Sequence, residues 1–164
     1  MPNQRVYLET TIASYLTARP SKNVLARARQ QSTRKWWQTR RHQFDLFVSQ
    51  LVLDEAAEGD PEAAQRRLKL LHDLPLLAVT DEAGDIAEEI LKKGIVPARA
   101  ADDAMHLALA GWHGLPYLLT WNFRHLANAE LLPLYRELFL ARGHEPPMIC
   151  TPDELMGAAD EVEP

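Results

Sequence analysis

Residues 5–14, RVYLETTIAS, hold the transition on which the fold turns. Residues 5–9 have the β-branched and aromatic content of a short strand. Residues 11–17 read as a short helix, with Thr10 or Thr11 as its N-cap. A strand that passes straight into a helix is the opening of a βα unit, and here the strand ends on a carboxylate, Glu9. Taken alone, Glu9 reads more readily as an exposed strand end or a cap for the next helix than as a ligand.

The pattern repeats outward from that unit. Asn23 is placed to cap a long helix reaching about Gln43. Trp36 and Trp37 lie ~100° apart on that helix, so both cannot face the core, and at least one should cover a partner or a neighbouring element. Residues 44–49 (FDLFVS), 76–79, 117–121 and 148–150 read as further strands. Residues 51–58, 61–73, 81–93, 100–113 and 129–142 read as helices, and 152–155 as a last helical turn. Gly59, Gly94, Gly114 and Gly143 stand where helices are expected to stop. The segment 100–113 is apolar nearly all round and should be buried on most sides. Strands alternating with helices predict an α/β fold, a three-layer α/β/α sandwich on a short-stranded parallel sheet. Residues 1–156 are expected to form one domain, followed by a frayed acidic tail over 157–164. There is no internal repeat and no linker long enough to divide two domains.

Bulk properties narrow the setting. A chain of 164 residues suits one domain with a proper core. No apolar run approaches the ~20 residues that span a bilayer. The first five residues have no signal-peptide core, so the expectation is a cytoplasmic protein. Cys150 is the sole cysteine, unable to form an internal disulfide, and is expected to be a buried, inert residue. Charge is uneven: residues 1–50 carry nine Lys/Arg against Glu9 and Asp45, a balance of +7 in a chain of net charge −5. Such a segment can be a nucleic-acid footprint or a solvated helix face, and charge alone favours the second.

Four polar residues fall where chemistry is expected. Glu9 ends the first strand, Glu55 lies in the helix after the second, Asp103 opens the apolar helix, and Asn122 follows the fourth strand. Ligands of open α/β sheets bind beyond the carboxyl ends of strands, and parallel connections return those ends to one edge. Three converging carboxylates repel unless one takes up a proton or a cation joins them. Hard oxygen donors suit Mg²⁺ or Mn²⁺. Such an ion activates water and stabilises charge on a phosphoryl group, which points to phosphodiester hydrolysis. Each residue also has a plain explanation. Glu55 sits among Asp54, Glu58 and Asp60, as solvated helix acids do. Asp103 is favoured at a helix start by the dipole, a role Asp102 fills equally well. Asn122 is a common turn residue. A zinc trio of Asp103, His106 and His113 lacks known ligand spacing, so His106 reads as a hydrogen-bonded core histidine. His42 and His125 read as surface or hydrogen-bonding residues. No GxSxG, P-loop, GxGxxG or CxxC is present.

Together the blocks VYLETTIASYL (6–16), FVSQLVLDEAAEGD (47–60), DDAMHLALA (102–110), LLTWNFRHLAN (118–128) and MICTPDEL (148–155) resemble the PIN domain, in particular VapC-like toxins of bacterial toxin–antitoxin pairs. No single block is specific; the ordered set is. The resemblance implies a parallel α/β/α sandwich, Mg²⁺- or Mn²⁺-dependent ribonuclease activity on RNA, a homodimer, and a small antitoxin partner. It assigns Glu9, Glu55 and Asp103 to the metal and Asn122 to the fourth position of the site. Two positions depart from the family: Glu9 stands where Asp is usual, and Asn122 where an acid is usual. The loss of charge at Asn122 bears most on a second metal site. These departures also motivate an alternative, a PIN-like module that binds RNA or an antitoxin without catalysis. Glu9-Thr10-Thr11 argues strongly against a haloacid-dehalogenase-like phosphohydrolase, which needs an Asp nucleophile and a second Asp two residues on.

Overall fold

A computed structural model of the chain describes residues 2–158; residues 159–164, most of the expected acidic tail, lie outside the described residues. The strands are β1 (Gln4–Leu8), β2 (Phe44–Ser49), β3 (Leu76–Leu77), β4 (Tyr117–Leu119) and β5 (Met148–Cys150). The helices are α1 (Thr10–Thr17), α2 (Val24–Thr39), α3 (Gln50–Ala56), α4 (Pro61–Leu71), α5 (Asp81–Lys92), α6 (Ala101–Trp112) and α7 (Leu132–Ala141).

All pairings are parallel, in the order β3-β2-β1-β4-β5. Val6 lies opposite Leu46 on one side and Tyr117 on the other. Val6, Tyr7 and Leu8 are buried in succession, as a central strand covered on both faces requires. Helix α1 packs against α2, α3 and α4, and α5 against α6, which gives the three-layer sandwich. In α6 every residue from His106 to Gly111 is buried, so the all-round apolar pattern has its expected outcome. Strands β2 and β3 extend from β1 one way and β4 and β5 the other. The direction of winding therefore reverses between β1 and β4, the place where open α/β sheets form a crevice.

Local chemistry moved several boundaries. Helix α2 ends at Thr39 rather than Gln43, because a short 3-10 turn at Arg41–Gln43 redirects the chain into β2. Helix α7 starts at Leu132 rather than Ala129. The Asn128 side chain accepts from Glu130 N–H, and its carbonyl from Leu131 and Leu132, which holds a turn there. Trp36 is fully buried and stacks on Phe44 at 5.8 Å. Trp37 is half-buried under the Arg41 guanidinium, 3.9 Å from its ring centroid. The two tryptophans thus face different surroundings, as helix geometry demands. Cys150 is buried, and burial with the nearby Glu154 charge pushes its thiol up to about 12.

Candidate functional site

The crevice is built from both sides of the β1/β4 reversal. Past Leu8, the Glu9 N–H donates to the Leu119 carbonyl at 3.1 Å, fixing Glu9 against β4. Its side chain turns inward. Oε2 accepts from the Thr11 N–H at 3.2 Å, so Glu9 caps α1 instead of the expected Thr10 or Thr11. Oε1 accepts the hydroxyls of Thr11 at 2.5 Å and Thr120 at 2.6 Å. Those hydroxyls in turn accept the N–H groups of Trp121 and Asn122, both at 2.9 Å. Glu9 is thereby the node that ties the start of α1 to the segment following β4. Burial pushes its carboxyl up, beyond what the His106 charge and its hydrogen bonds offset.

Glu55 arrives from α3, which Ser49 caps through its Oγ. Its Oε1 accepts from Thr10 Oγ1 at 2.6 Å and pairs with His106 Nε2 at 2.5 Å. Among the described residues its Oε2 has no hydrogen-bond partner, so that oxygen is open to a ligand. His106, on α6, has no exposed surface. Its Nδ1 meets the Tyr7 hydroxyl at 2.6 Å, and that hydroxyl meets Ser49 Oγ at 2.8 Å. One buried chain of hydrogen bonds therefore runs Ser49–Tyr7–His106–Glu55–Thr10. Burial pulls the imidazole down, but the Glu55 hydrogen bond and the charges of Glu9, Glu55 and Asp103 raise it overall. Burial likewise raises Glu55, but His106 and Thr10 lower it overall. Both directions have one cause, the short contact between the Glu55 carboxyl and the His106 ring.

Asp103 lies one turn before His106 and is half-buried. Burial raises its carboxyl, against a hydrogen bond with Asn122 and the charges of His106 and His125. Asn122 Oδ1 accepts the N–H groups of Arg124 at 3.1 Å and His125 at 3.0 Å, and its amide lies close enough to Asp103 to lower that carboxyl. The four residues singled out in the sequence thus fall into two neighbouring groups. Ligand atoms of Glu9, Glu55 and His106 all lie within 4.8 Å of one another. Asp103 and Asn122 form the adjoining pair. His113 takes no part: its Nε2 donates to the Ala78 carbonyl at 2.7 Å, away from any zinc trio. His42 is exposed.

Sequence reading missed Tyr7, Ser49, Thr10, Thr11 and Thr120 as supports, and His106 as a member of the cluster. A signal for His106 existed. A lone imidazole in an apolar helix needs two partners, and the only acids expected near its turn were those of the cleft. The donor set suits a divalent cation. Two carboxylates converge beside His106, with a third one turn before that imidazole, and it is burial that raises Glu9 and Asp103, a cost a bound cation would offset.

No protein-family model matches the chain, and no curated protein does. Among solved structures, it is similar to a chain in the crystal structure of VapBC2 from Rickettsia felis bound to a DNA fragment from their promoter. The match has a TM-score of 0.56 and 15% identity, and it covers 90% of this chain and 98% of that one. The likeness is one of fold, and it extends over nearly the whole molecule: the chain has a PIN-like three-layer α/β/α fold.

Proposed function

We propose that the chain is a Mg²⁺- or Mn²⁺-dependent endoribonuclease, the cytoplasmic toxin of a toxin–antitoxin pair. The observation that carries this reading is the convergence of Glu9 and Glu55 at the sheet's reversal point, with Asp103 and Asn122 beside them. Likeness to VapBC2, a protein solved on promoter DNA, supports the pairing with a small antitoxin. Glu9, Glu55 and Asp103 would hold the ion, with Glu55 Oε2 as its most open donor. When bound, the ion supplies Lewis acidity toward a phosphoryl oxygen and lowers the pKa of water. Asn122 carries no charge and orients water through its amide while holding Asp103 in place. The Thr11 and Thr120 hydroxyls keep Glu9 from swinging out of the crevice. A homodimer belongs to the same reading.

The test is cleavage of single-stranded RNA with Mn²⁺ by wild type and Asp103→Asn side by side. Activity in the wild type and none in the variant, with unchanged circular dichroism, is the expected result. Full activity in Asp103→Asn would remove the assignment. One observation favours a second reading, a binding module without catalysis. His106 already pairs with Glu55, and threonine hydroxyls already satisfy Glu9, without a metal. Calorimetry with Mg²⁺ and Mn²⁺ decides: binding supports the nuclease, and no heat, with or without RNA, supports the module.

A further inference from the structure

We propose that Phe123, with Arg29 over its ring, forms a stacking platform for one base of single-stranded RNA at the lip of the carboxylate crevice. The proposal rests on the nuclease reading for its ligand, but its geometry is separate from the metal donors. Phe123 directly follows Asn122, whose side chain is pinned into the turn, so the ring stands one residue from the crevice. It remains 43% exposed. Trp121 meets it edge-on, with centroids 6.0 Å apart at 72°. Trp121 is itself buried, and its Nε1–H donates to Thr33 Oγ1 of α2 at 2.8 Å, which locks the loop to the helix. Arg29, one turn before Thr33, places its guanidinium 4.9 Å from the Phe123 centroid and 5.8 Å from that of Trp121. Among the described residues Arg29 forms no ion pair with a carboxylate.

A single exposed aromatic ring needs no special explanation. This one is different in its surroundings. It is held by a fixed indole, covered by an unpaired planar cation, and followed by the exposed Arg124. The cation over the ring and Arg124 next in sequence favour a phosphate-bearing ligand over a protein docking by apolar contact alone. A nucleobase wants a π face and a guanidinium plane, and its phosphates want positive charge. Cation and ring together serve both parts of one nucleotide. A base seated there would position the adjoining phosphate toward the carboxylates.

Binding of a short U-rich RNA with one 2-aminopurine is measured by fluorescence quenching in EDTA, where no metal-dependent cleavage proceeds. Wild type should quench the probe. Phe123→Ala should lose the quenching and weaken binding on the order of tenfold or more, and Phe123→Trp should retain both. If Phe123→Ala melts well below wild type, Phe123→Leu, which keeps bulk without a π face, is measured in its place with the same expectation. Equal affinity and quenching in wild type and the Ala or Leu variant, or no RNA binding by wild type, overturns the platform. Mn²⁺-dependent cleavage of the same RNA is assayed separately, so an inactive but base-stacking protein and an active protein without the platform give different results.

Discussion

At the scale of single residues, the informative side chain is His106. It is fully buried, and its two ring nitrogens join the Tyr7 hydroxyl to the Glu55 carboxylate. It hydrogen-bonds Glu55 and lies within 4.8 Å of the ligand atoms of Glu9, and both acids raise its pKa. Removing one partner of a buried pair leaves the other charge uncompensated, at a cost of about 3–5 kcal/mol. The Glu55 side chain is 25% exposed, so the lower end of that range is expected for His106→Ala. Urea denaturation measures it. On the proposed nuclease reading a divalent cation would take the place of His106 beside the same carboxylates, so Mn²⁺ should raise the melting temperature of His106→Ala more than that of wild type. An equal shift in both proteins would mean that His106 and the cation do not serve the same charges. The convergence of Glu9 and Glu55 was legible in the sequence because one follows β1 and the other lies on the helix after β2, and parallel strands bring those ends to one edge. Their supports were not. Thr120 reaches Glu9 across 111 positions and His106 reaches Glu55 across 51, and neither separation leaves a local pattern. The longer Glu9 is also explained only by those contacts: its carboxylate both caps α1 and meets the hydroxyl beyond β4.

At the scale of elements, α6 carries the site at one end and a tight packing contact at the other. Gly111 lies where a Cβ would stand 2.1 Å from Phe139 Cε1 of α7, and that ring is fully buried. Gly84, in α5, has no atom within 4 Å of the same position. In helix interiors Ala is favoured over Gly by about 1 kcal/mol. At Gly84 that preference acts alone, so Gly84→Ala should stabilise by roughly 0.5–1 kcal/mol. At Gly111 overpacking opposes it at about 1–3 kcal/mol, so Gly111→Ala should be destabilising. Chemical denaturation of the two variants should move the midpoint in opposite directions; the same direction for both would refute the packing argument. Which segments are helix and which strand was legible, because periodicity and stop residues are local. Gly114, for instance, follows α6 at φ +69°, a conformation that glycine adopts without strain. The start of α7 was less legible, because hydrogen bonds at Asn128 compete with the helix for its first residues.

At the scale of the whole molecule, the open question is what the uneven charge does. Alternation of strands and helices made the layered fold legible, and the parallel rule placed Glu9 and Glu55 at one edge. The use of the basic segment was not legible, because charge along a sequence does not say which way a helix faces. The geometry of α2 divides its cations. Gln30, Thr33 and Trp36 are its buried residues, and Arg29 lies on that side, over the aromatic pair at the crevice. At 100° per residue, Arg27 and Lys35 stand roughly 160° and 120° from Arg29 around the helix. Both are exposed, so they belong to the solvated face, whereas Arg29 faces the crevice lip. The balance of the chain beyond residue 50 is strongly acidic, so on the proposed nuclease reading RNA would approach by the side that presents Arg29. RNA affinity should then fall with rising salt, since phosphate contacts release counterions. Arg29→Gln should reduce the slope of log K against log salt by about one. The double variant Arg27→Gln with Lys35→Gln should change it by clearly less than one per charge. If instead the double variant flattens the slope by two and Arg29→Gln leaves it intact, the outer face of α2 carries the RNA, and the division of its charges drawn from helix geometry is wrong.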